Sequence, residues 1–379
     1  MNIGFGENDI GTFYENSTLG QDTLNVFYKG GFYYISDTKN NKIIKTTEKG
    51  IHVLVIFNPE SNPHLRQSTT QTDESSDNTN DIAYVKQYKE FSIITPGKIT
   101  ADIDKNIYVV NNDPQYKKND NNGFLSNSLI LKFDNNGSLK YVIGKNGIDS
   151  SPFSYISKMI TDQKNNLIVY EKNENENNIY KFGTDGTLKS KTSISQNDVP
   201  KTSEESNLIV DIINIIPGFI EDEIYLTCQY IKEKEDNFSI KNYEIIYEKI
   251  LKYSLKTNKI SKLIISLKPK KINFSKLKLN PELKELYGDK KEIVEPMENL
   301  MGADVSGRMF FYKMELPLEL LNENKQSLSI YDNNGKLLKE ILLEQPLNVQ
   351  YVSEFYLSSE GKVFYYYIID GEVQFVSII

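Results

Sequence analysis

The sequence predicts an all-β fold in which four short strands repeat six times along one chain. Three observations carry that expectation. The aromatic residues are 25 Tyr and 18 Phe with no Trp, and flat or β-branched side chains suit a half-buried pleated surface. Asn-Gly and Asp-Gly turns recur between alternating apolar runs, and such turns reach positive φ at little cost. A second strand–turn–strand unit precedes each of these hairpins. Four-stranded units at intervals of roughly 50 to 90 residues are the signature of a β-propeller. The expected form is six-bladed, with seven blades as the alternative.

The hairpins can be followed in order. The later pair of strands in each unit reads KTTEKGIHVLVI (45–56), KFDNNGSLKYVIG (132–144), KFGTDGTLKSKTS (181–193), KYSLKTNKISKLI (252–264) and IYDNNGKLLKEIL (330–342). The earlier pair reads NVFYKGGFYYIS (25–36), TADIDKNIYVV (100–110), MITDQKNNLIVY (159–170), IPGFIEDEIYLT (216–227), ADVSGRMFFYK (303–313) and FYLSSEGKVFYYY (355–367). Tyr365, Tyr366 and Tyr367 fall in a second strand and read as packing between units. Taken together these give one propeller domain over 1–379. Its blades are expected at 14–57, 93–144, 154–194, 208–266, 300–343 and 350–379, with long insertions at 58–92 and 267–299. The least certain part of the count is 194–300, whose connectors are long enough to hide a strand pair.

The last unit runs out after three strands, and a three-stranded terminal sheet leaves an edge that natural proteins avoid. IGFGENDIGTF at 3–13 has the same form as the connector IGKNGIDSSPF at 143–153. It therefore reads as a joint leaving a final strand, so residues 1–5 are expected to complete the last blade and close the ring. The same reading expects the natural chain to start upstream of Met1.

FYYISDTKNNKIIKTTEKG (32–50), NIYVVNND…LILKFDNNGSLKYVIG (106–144) and LIVYEKNENENNIYKFGTDGTLKS (167–190) resemble the NHL repeat. The resemblance implies the same propeller fold and is specific in the first three blades only.

Strand order also sorts the connections. With strands A to D in each blade, the A–B turns are short, as at 29–31, 104–106 and 306–307. The C–D turns are equally short. The long segments are 58–92, 111–127, 194–207, 231–244, 266–299 and 313–326, and all are B–C or D–A connections. Long loops gather where a scaffold binds something, so function is expected at the B–C/D–A end. Residues 67–83 are low-complexity, polar and expected to be disordered. Two stretches there are candidate partner contacts. LPLELL offers Leu316, Pro317, Leu318, Leu320 and Leu321 as an apolar patch, with packing onto the propeller rim as the alternative. The segment 267–288 offers Lys268, Lys270, Lys271, Lys276 and Lys278 to an anionic surface, with a solvated connector as the alternative, and a short helix is expected after Asn280-Pro281.

Catalytic constellations are not evident. The only histidines, His52 and His64, fall in a strand and a connector, and the single cysteine, Cys228, sits inside the apolar run IYLTCQY. No metal or cofactor is expected. Asp102, Asp162 and Asp304 recur near the end of strand A. They can either converge on the central channel to hold a cation or accept hydrogen bonds from turn amides. The formal net charge of −8 disfavours a nucleic-acid partner. No apolar run is long enough to span a membrane, and no signal peptide follows Met1, which leaves a cytoplasmic protein or a mature fragment. The expectation is a non-enzymatic protein–protein interaction scaffold. The alternative is a propeller enzyme or a small-ligand or carbohydrate binder using the channel.

The Asn/Lys/Ile-rich repeats and six degenerate NHL-like blades resemble a spirochaetal (Borrelia) family of outer-membrane propeller lipoproteins that accompany the β-barrel assembly machinery. That resemblance implies a lipid-anchored location on the periplasmic side of the outer membrane and a barrel-assembly protein as partner. It carries no contact residues onto this chain.

Overall fold

The computed structural model describes residues 24–70, 86–116, 118–119, 125–126, 128–144, 153–173, 176–218, 222–235, 241–269, 271–273, 292–294, 298–314, 326–343, 351–353, 355–358, 360–370 and 372–378. The first sheet is an antiparallel meander of β1 (Leu24–Lys29), β2 (Phe32–Asp37), β3 (Lys42–Thr47) and β4 (His52–Phe57). A fifth strand, β5 (Gln87–Glu90), adds parallel to β4. The second blade is β6 (Pro96–Ala101), β7 (Ile107–Asn112), β10 (Ser128–Phe133) and β11 (Leu139–Ile143), with a small ribbon of β8 (Lys118–Asn119) and β9 (Leu125–Ser126) inside its B–C connection. The third is β12 (Ile156–Thr161), β13 (Leu167–Lys172), β14 (Glu176–Phe182) and β15 (Leu188–Ser195).

The fourth blade is β16 (Ile209–Pro217), β17 (Glu223–Glu235), β18 (Lys241–Ser254) and β19 (Lys259–Leu267), followed by a ribbon of β20 (Lys271–Asn273) and β21 (Glu292–Val294). The fifth is β22 (Asn299–Ala303), β23 (Met309–Met314), β24 (Gln326–Tyr331) and β25 (Leu337–Leu343). In the last blade β28 (Val363–Ile369) pairs with β26 (Tyr351–Val352) and β27 (Tyr356–Leu357) on one side and β29 (Glu372–Ser377) on the other. These six sheets are the blades of a six-bladed β-propeller, and 194–300 holds one blade among its described residues. The expected pairing of residues 1–5 with the last blade lies outside the described residues.

The chain divides into two compact units. One holds blades one, two, three and six, and the other holds blades four and five. In the first unit, packing between blades explains why the B strands are apolar on both faces. Tyr34 and Phe32 pack with Ile43, Leu54 and Ile56 against Ile99, Ile107, Val109, Leu131 and Phe133 of blade two. From the opposite face of β2, Tyr33 and Ile35 pack against Phe364, Tyr366 and Ile368 of blade six. Tyr108 and Val110 face blade three, meeting Phe153, Met159, Val169 and Phe182. Each buried side chain of this size contributes about 1.5–3 kcal/mol. Tyr366 is part of this packing, as its run suggests, while Tyr367 turns its hydroxyl to Gln374 Oε1 at 2.8 Å. In the second unit, Ile216, Tyr225 and Ile250 meet Leu300, Met309 and Phe311.

One turn recurs at the A–B and C–D positions. It closes Thr47–Ile51, Asp102–Asn106, Asp134–Ser138, Asp162–Asn166, Gly183–Thr187, Asp304–Arg308 and Asp332–Lys336 with the same two backbone bonds. The first residue's N–H donates to the fifth residue's carbonyl, and the fourth residue's N–H donates to the first residue's carbonyl. The fourth position always has positive φ, from 61° at Asn165 to 84° at Gly186, which explains its Gly and Asn preference.

The long connections leave at the B–C and D–A positions, but several are more ordered than expected. Within 58–92 lie a 3₁₀ segment, Pro63–Thr70, and β5, so 67–70 are structured where disorder was expected. Residues 71–85 lie outside the described residues, as does the helix expected after Asn280-Pro281. The expected loop 231–244 is largely strand. Its register places Lys232 opposite Glu244, and opposite charges across a ladder stabilise it.

Candidate functional site

The recurring carboxylates settle first. Asp102 Oδ1 accepts the Asn106 N–H at 2.8 Å, and its Oδ2 accepts Asn106 Nδ2 at 2.8 Å and the Tyr108 hydroxyl at 3.2 Å. Asp162 Oδ1 accepts the N–H groups of Lys164 and Asn166, and Oδ2 meets Asn166 Nδ2 and Lys181 Nζ, the last at 3.3 Å. Asp304 Oδ1 accepts the N–H groups of Ser306 and Arg308 and the Ser306 hydroxyl, and Oδ2 takes Arg308 Nε at 2.7 Å. Burial alone would raise the Asp162 and Asp304 carboxyls, but these hydrogen bonds and the adjacent cations hold both below the usual range. All three carboxylates bind turn amides. Of the two readings left open by the sequence, turn fixation is the one the geometry displays, and no metal-holding cluster of His, Cys, Asp or Glu occurs among the described residues.

A second recurring residue escaped the sequence reading. A lysine stands two positions before the C–D turn in blades one to four, as Lys45, Lys132, Lys181 and Lys252. Lys181 pairs with Asp162 and Lys252 with Glu223 Oε2 at 2.7 Å, each inside its own blade. Lys132 reaches the next blade and donates to the Thr184 carbonyl at 2.9 Å, over the rings of Tyr108 and Tyr141. Burial lowers its pKa, while Asp102, Asp104 and Asp185 pull the other way. Lys45 also reaches forward, donating to Asn135 Oδ1 in the C–D turn of blade two. Its ammonium lies 4.8 Å from the centroid of Phe32, and Lys105 Nζ lies 4.8 Å from the same centroid. Both lysines line a cavity of about 190 Å³ at the A–B/C–D end of blades one and two. Phe32, Val53 and Leu54 form its apolar wall, and Gln87, Asn135 and Asn136 its polar rim. Burial, then the Lys105 charge, lowers Lys45 to about 8.

In the second unit a ribbon projects from the B–C connection of blade four. β16 stays paired with β17 only to Ile231, and β19 with β18 only to Glu248. The two long strands continue together to Glu235 and Lys241. Among the described residues no further strand pairs with 232–235 or 241–247, so both ribbon edges present backbone donors and acceptors. Tyr243 there is 60% exposed. The base of the ribbon is pinned by the D–A connection. Glu205, in the 3₁₀ turn Ser203–Glu205, accepts from Tyr247 Oη, Lys249 Nζ and the Thr202 N–H. Tyr230 Oη donates to the Pro200 carbonyl at 3.2 Å. Burial would raise the Glu205 carboxyl, but the Lys249, Thr202 and Tyr247 donors outweigh it and hold the group at about 2.

The candidate partner contacts are placed only in part. Leu316, Pro317, Leu318, Leu320 and Leu321 lie outside the described residues, as do Lys270, Lys276 and Lys278. Lys268 is exposed just after β19, and Lys271 opens β20. His52 is buried in β4 and His64 is exposed in the Pro63–Thr70 segment. Cys228 is fully buried, and burial followed by the Asp211 charge pushes its thiol up to about 12.

No protein-family model and no curated protein matches the chain. Among solved structures it is similar to streptogramin B lyase, at 11% identity and a TM-score of 0.37 over 92% of each chain. It is also similar to a luciferin-regenerating enzyme, at 10% identity and a TM-score of 0.39 over 93% of this chain and 87% of that one. A third likeness is to the β-propeller domain of Cps50 (Swd1) from Myceliophteria thermophila, at 9% identity and a TM-score of 0.41 over 96% and 100% of the chains. Fold hosts many functions, and at this distance no activity transfers from these proteins. The six-bladed β-propeller rests on the strand pairing of the chain itself.

Proposed function

We propose that this protein is a non-enzymatic interaction module that engages a protein partner at the B–C/D–A end of its blades. The observation that carries the reading is the β17–β18 ribbon. It extends past both neighbouring strands and offers open edges, the geometry on which a partner adds a strand by main-chain hydrogen bonds. Exposed Tyr243 gives that surface an aromatic anchor of the kind enriched at interfaces. The resemblance of the Asn/Lys/Ile-rich repeats to spirochaetal propeller lipoproteins supports a finer reading. In it the partner is an outer-membrane β-barrel assembly protein, met on the periplasmic side by a lipid-anchored form of this chain.

The test is crosslinking and co-purification from the native membrane, repeated with Lys234→Pro, which removes one backbone donor from the ribbon, and with LPLELL (316–321) replaced by polar residues. Loss of capture at unchanged melting temperature is expected for both. Full capture by the Lys234→Pro chain would overturn the ribbon as the docking edge, and a partner absent from the membrane fraction would overturn the finer reading.

A further inference from the structure

We propose that the cavity between blades one and two, at the A–B/C–D end, binds a small organic carboxylate held by Lys45 and Lys105. The argument starts from charge. Lys45 is 2% exposed, and a buried ammonium is normally paired because water no longer stabilises it. Its equivalent in blade two, Lys132, has Asp102, Asp104 and Asp185 in its field. The equivalents in blades three and four make ion pairs. Lys45 has a neutral amide oxygen from Asn135 and the rings of Phe32 and Tyr34. The charge that acts on it is a second cation, Lys105, which lies over the same Phe32 ring.

Two ammonium groups therefore line one cavity whose lining residues include no carboxylate. Each gains something from the ring face, but the Lys105 charge disfavours the charged form of Lys45. An anion entering the cavity supplies the missing charge and brings the blade-one lysine into the pattern of its three counterparts.

The wall chemistry narrows the anion. Phe32, Val53 and Leu54 line one side, and an inorganic ion would leave that apolar surface without a partner. The amides of Gln87, Asn135 and Asn136 stand at the rim, where they can donate to the second carboxylate oxygen. A volume of about 190 Å³ admits a short-chain or single-ring acid and excludes most larger ligands. The lysines come from two different blades and the rim amides from a turn and a D–A connection, so the site depends on the blades being packed together. This site is built from blades one and two only, and its test does not depend on the partner.

The probes are hexanoate, its neutral isostere hexanamide, and inorganic phosphate, titrated calorimetrically into the full chain. Lys45→Met keeps the length of the side chain and removes its charge. Lys105→Asn removes the second charge at φ 66°, a conformation Asn adopts readily, so the turn is retained. Hexanoate is expected to bind the unaltered chain and to raise its melting temperature. Each substitution is expected to weaken it by about tenfold, the loss of one close charge contact. Hexanamide binding as tightly as hexanoate would overturn the role of charge. Phosphate binding as tightly would overturn the organic class. Unchanged hexanoate affinity in the folded Lys105→Asn chain, or no heat with any probe, would overturn the site.

Discussion

The two ends of the blades obey different rules. At the A–B/C–D end one five-residue turn is used again and again, with the same two backbone bonds and the same positive φ at its fourth position. At the B–C/D–A end the described long connections differ from one another. One is a parallel fifth strand, one a pair of 3₁₀ turns, and one a projecting ribbon. A turn that must reverse the chain in three residues has few solutions, so its chemistry repeats. A connection of a dozen or more residues has many solutions, so each can be shaped to a partner. The comparison teaches that stability should be concentrated in single residues at the turn end and spread over many at the other.

The sharpest way to break it is Asp304→Ala. Five donor atoms lose their acceptor, among them the N–H groups of Ser306 and Arg308 and the Arg308 guanidinium. Hydrogen bonds to a charged group contribute about 1.5–3 kcal/mol, and donors left unsatisfied add to the loss. A destabilisation of about 3 kcal/mol is expected in urea denaturation. A loss below 1 kcal/mol, the ordinary effect of a surface substitution, would show that the turn holds itself by backbone bonds alone.

The glycines of this turn divide by what surrounds them. At Gly335 an added Cβ would lie 2.6 Å from the Ile264 carbonyl oxygen, at φ 80°. At Gly50, with φ 81°, the same atom meets nothing within 4 Å. Gly50→Ala is therefore expected to cost about 1 kcal/mol, the strain of the left-handed conformation. Gly335→Ala should cost about 2–3 kcal/mol, because backbone must shift as well. Equal losses in parallel denaturation curves would mean that strain alone governs both positions.

These turns also mark how far the sequence could be read. Asp-x-x-Gly patterns at 134–137, 304–307 and 332–335 announce hairpins directly, because the fourth residue must reach positive φ. Lys105 takes the same conformation without a glycine, and only its place in the repeat indicates it. The blade count was legible for the same reason. The lysine pair at Phe32 was not, because Lys45 and Lys105 are 60 residues apart and come together only when blade one packs on blade two. The recurrence of lysine two positions before the C–D turn was present in KFDNNG and KFGTDG. Nothing in the strings shows that one of these lysines lacks a carboxylate. The ribbon was misread as loop because β17 and β18 continue through charged residues, whose stabilising partners lie across the ladder.

On the connection side the largest single effect is expected at Glu205. Its folded pKa is depressed to about 2, so its contribution is present above the ordinary glutamate range. That contribution is lost as the pH falls from about 5 toward 2. Water at the rim screens the interaction, so Glu205→Gln is expected to cost about 1–2 kcal/mol at pH 7. The difference between Glu205→Gln and the unaltered chain should vanish near pH 2. A constant difference across that window would show that shape, and not charge, makes the contact. Tyr247→Phe removes one donor to the same carboxylate and should cost about 1 kcal/mol.

The smallest expected effect on stability is also the most informative about function. Tyr243 is 60% exposed on the ribbon, beyond the last residue that β19 pairs. Tyr243→Ser should change the unfolding free energy by less than about 0.5 kcal/mol. If the ribbon is a docking edge, the same change should reduce partner capture several-fold, because aromatic anchors at the centre of an interface carry much of its energy. The reverse pattern, a clear loss of stability with capture intact, would make the ribbon a structural brace for blade four. Docking would then fall to the other connections at that end, beginning with exposed Lys268.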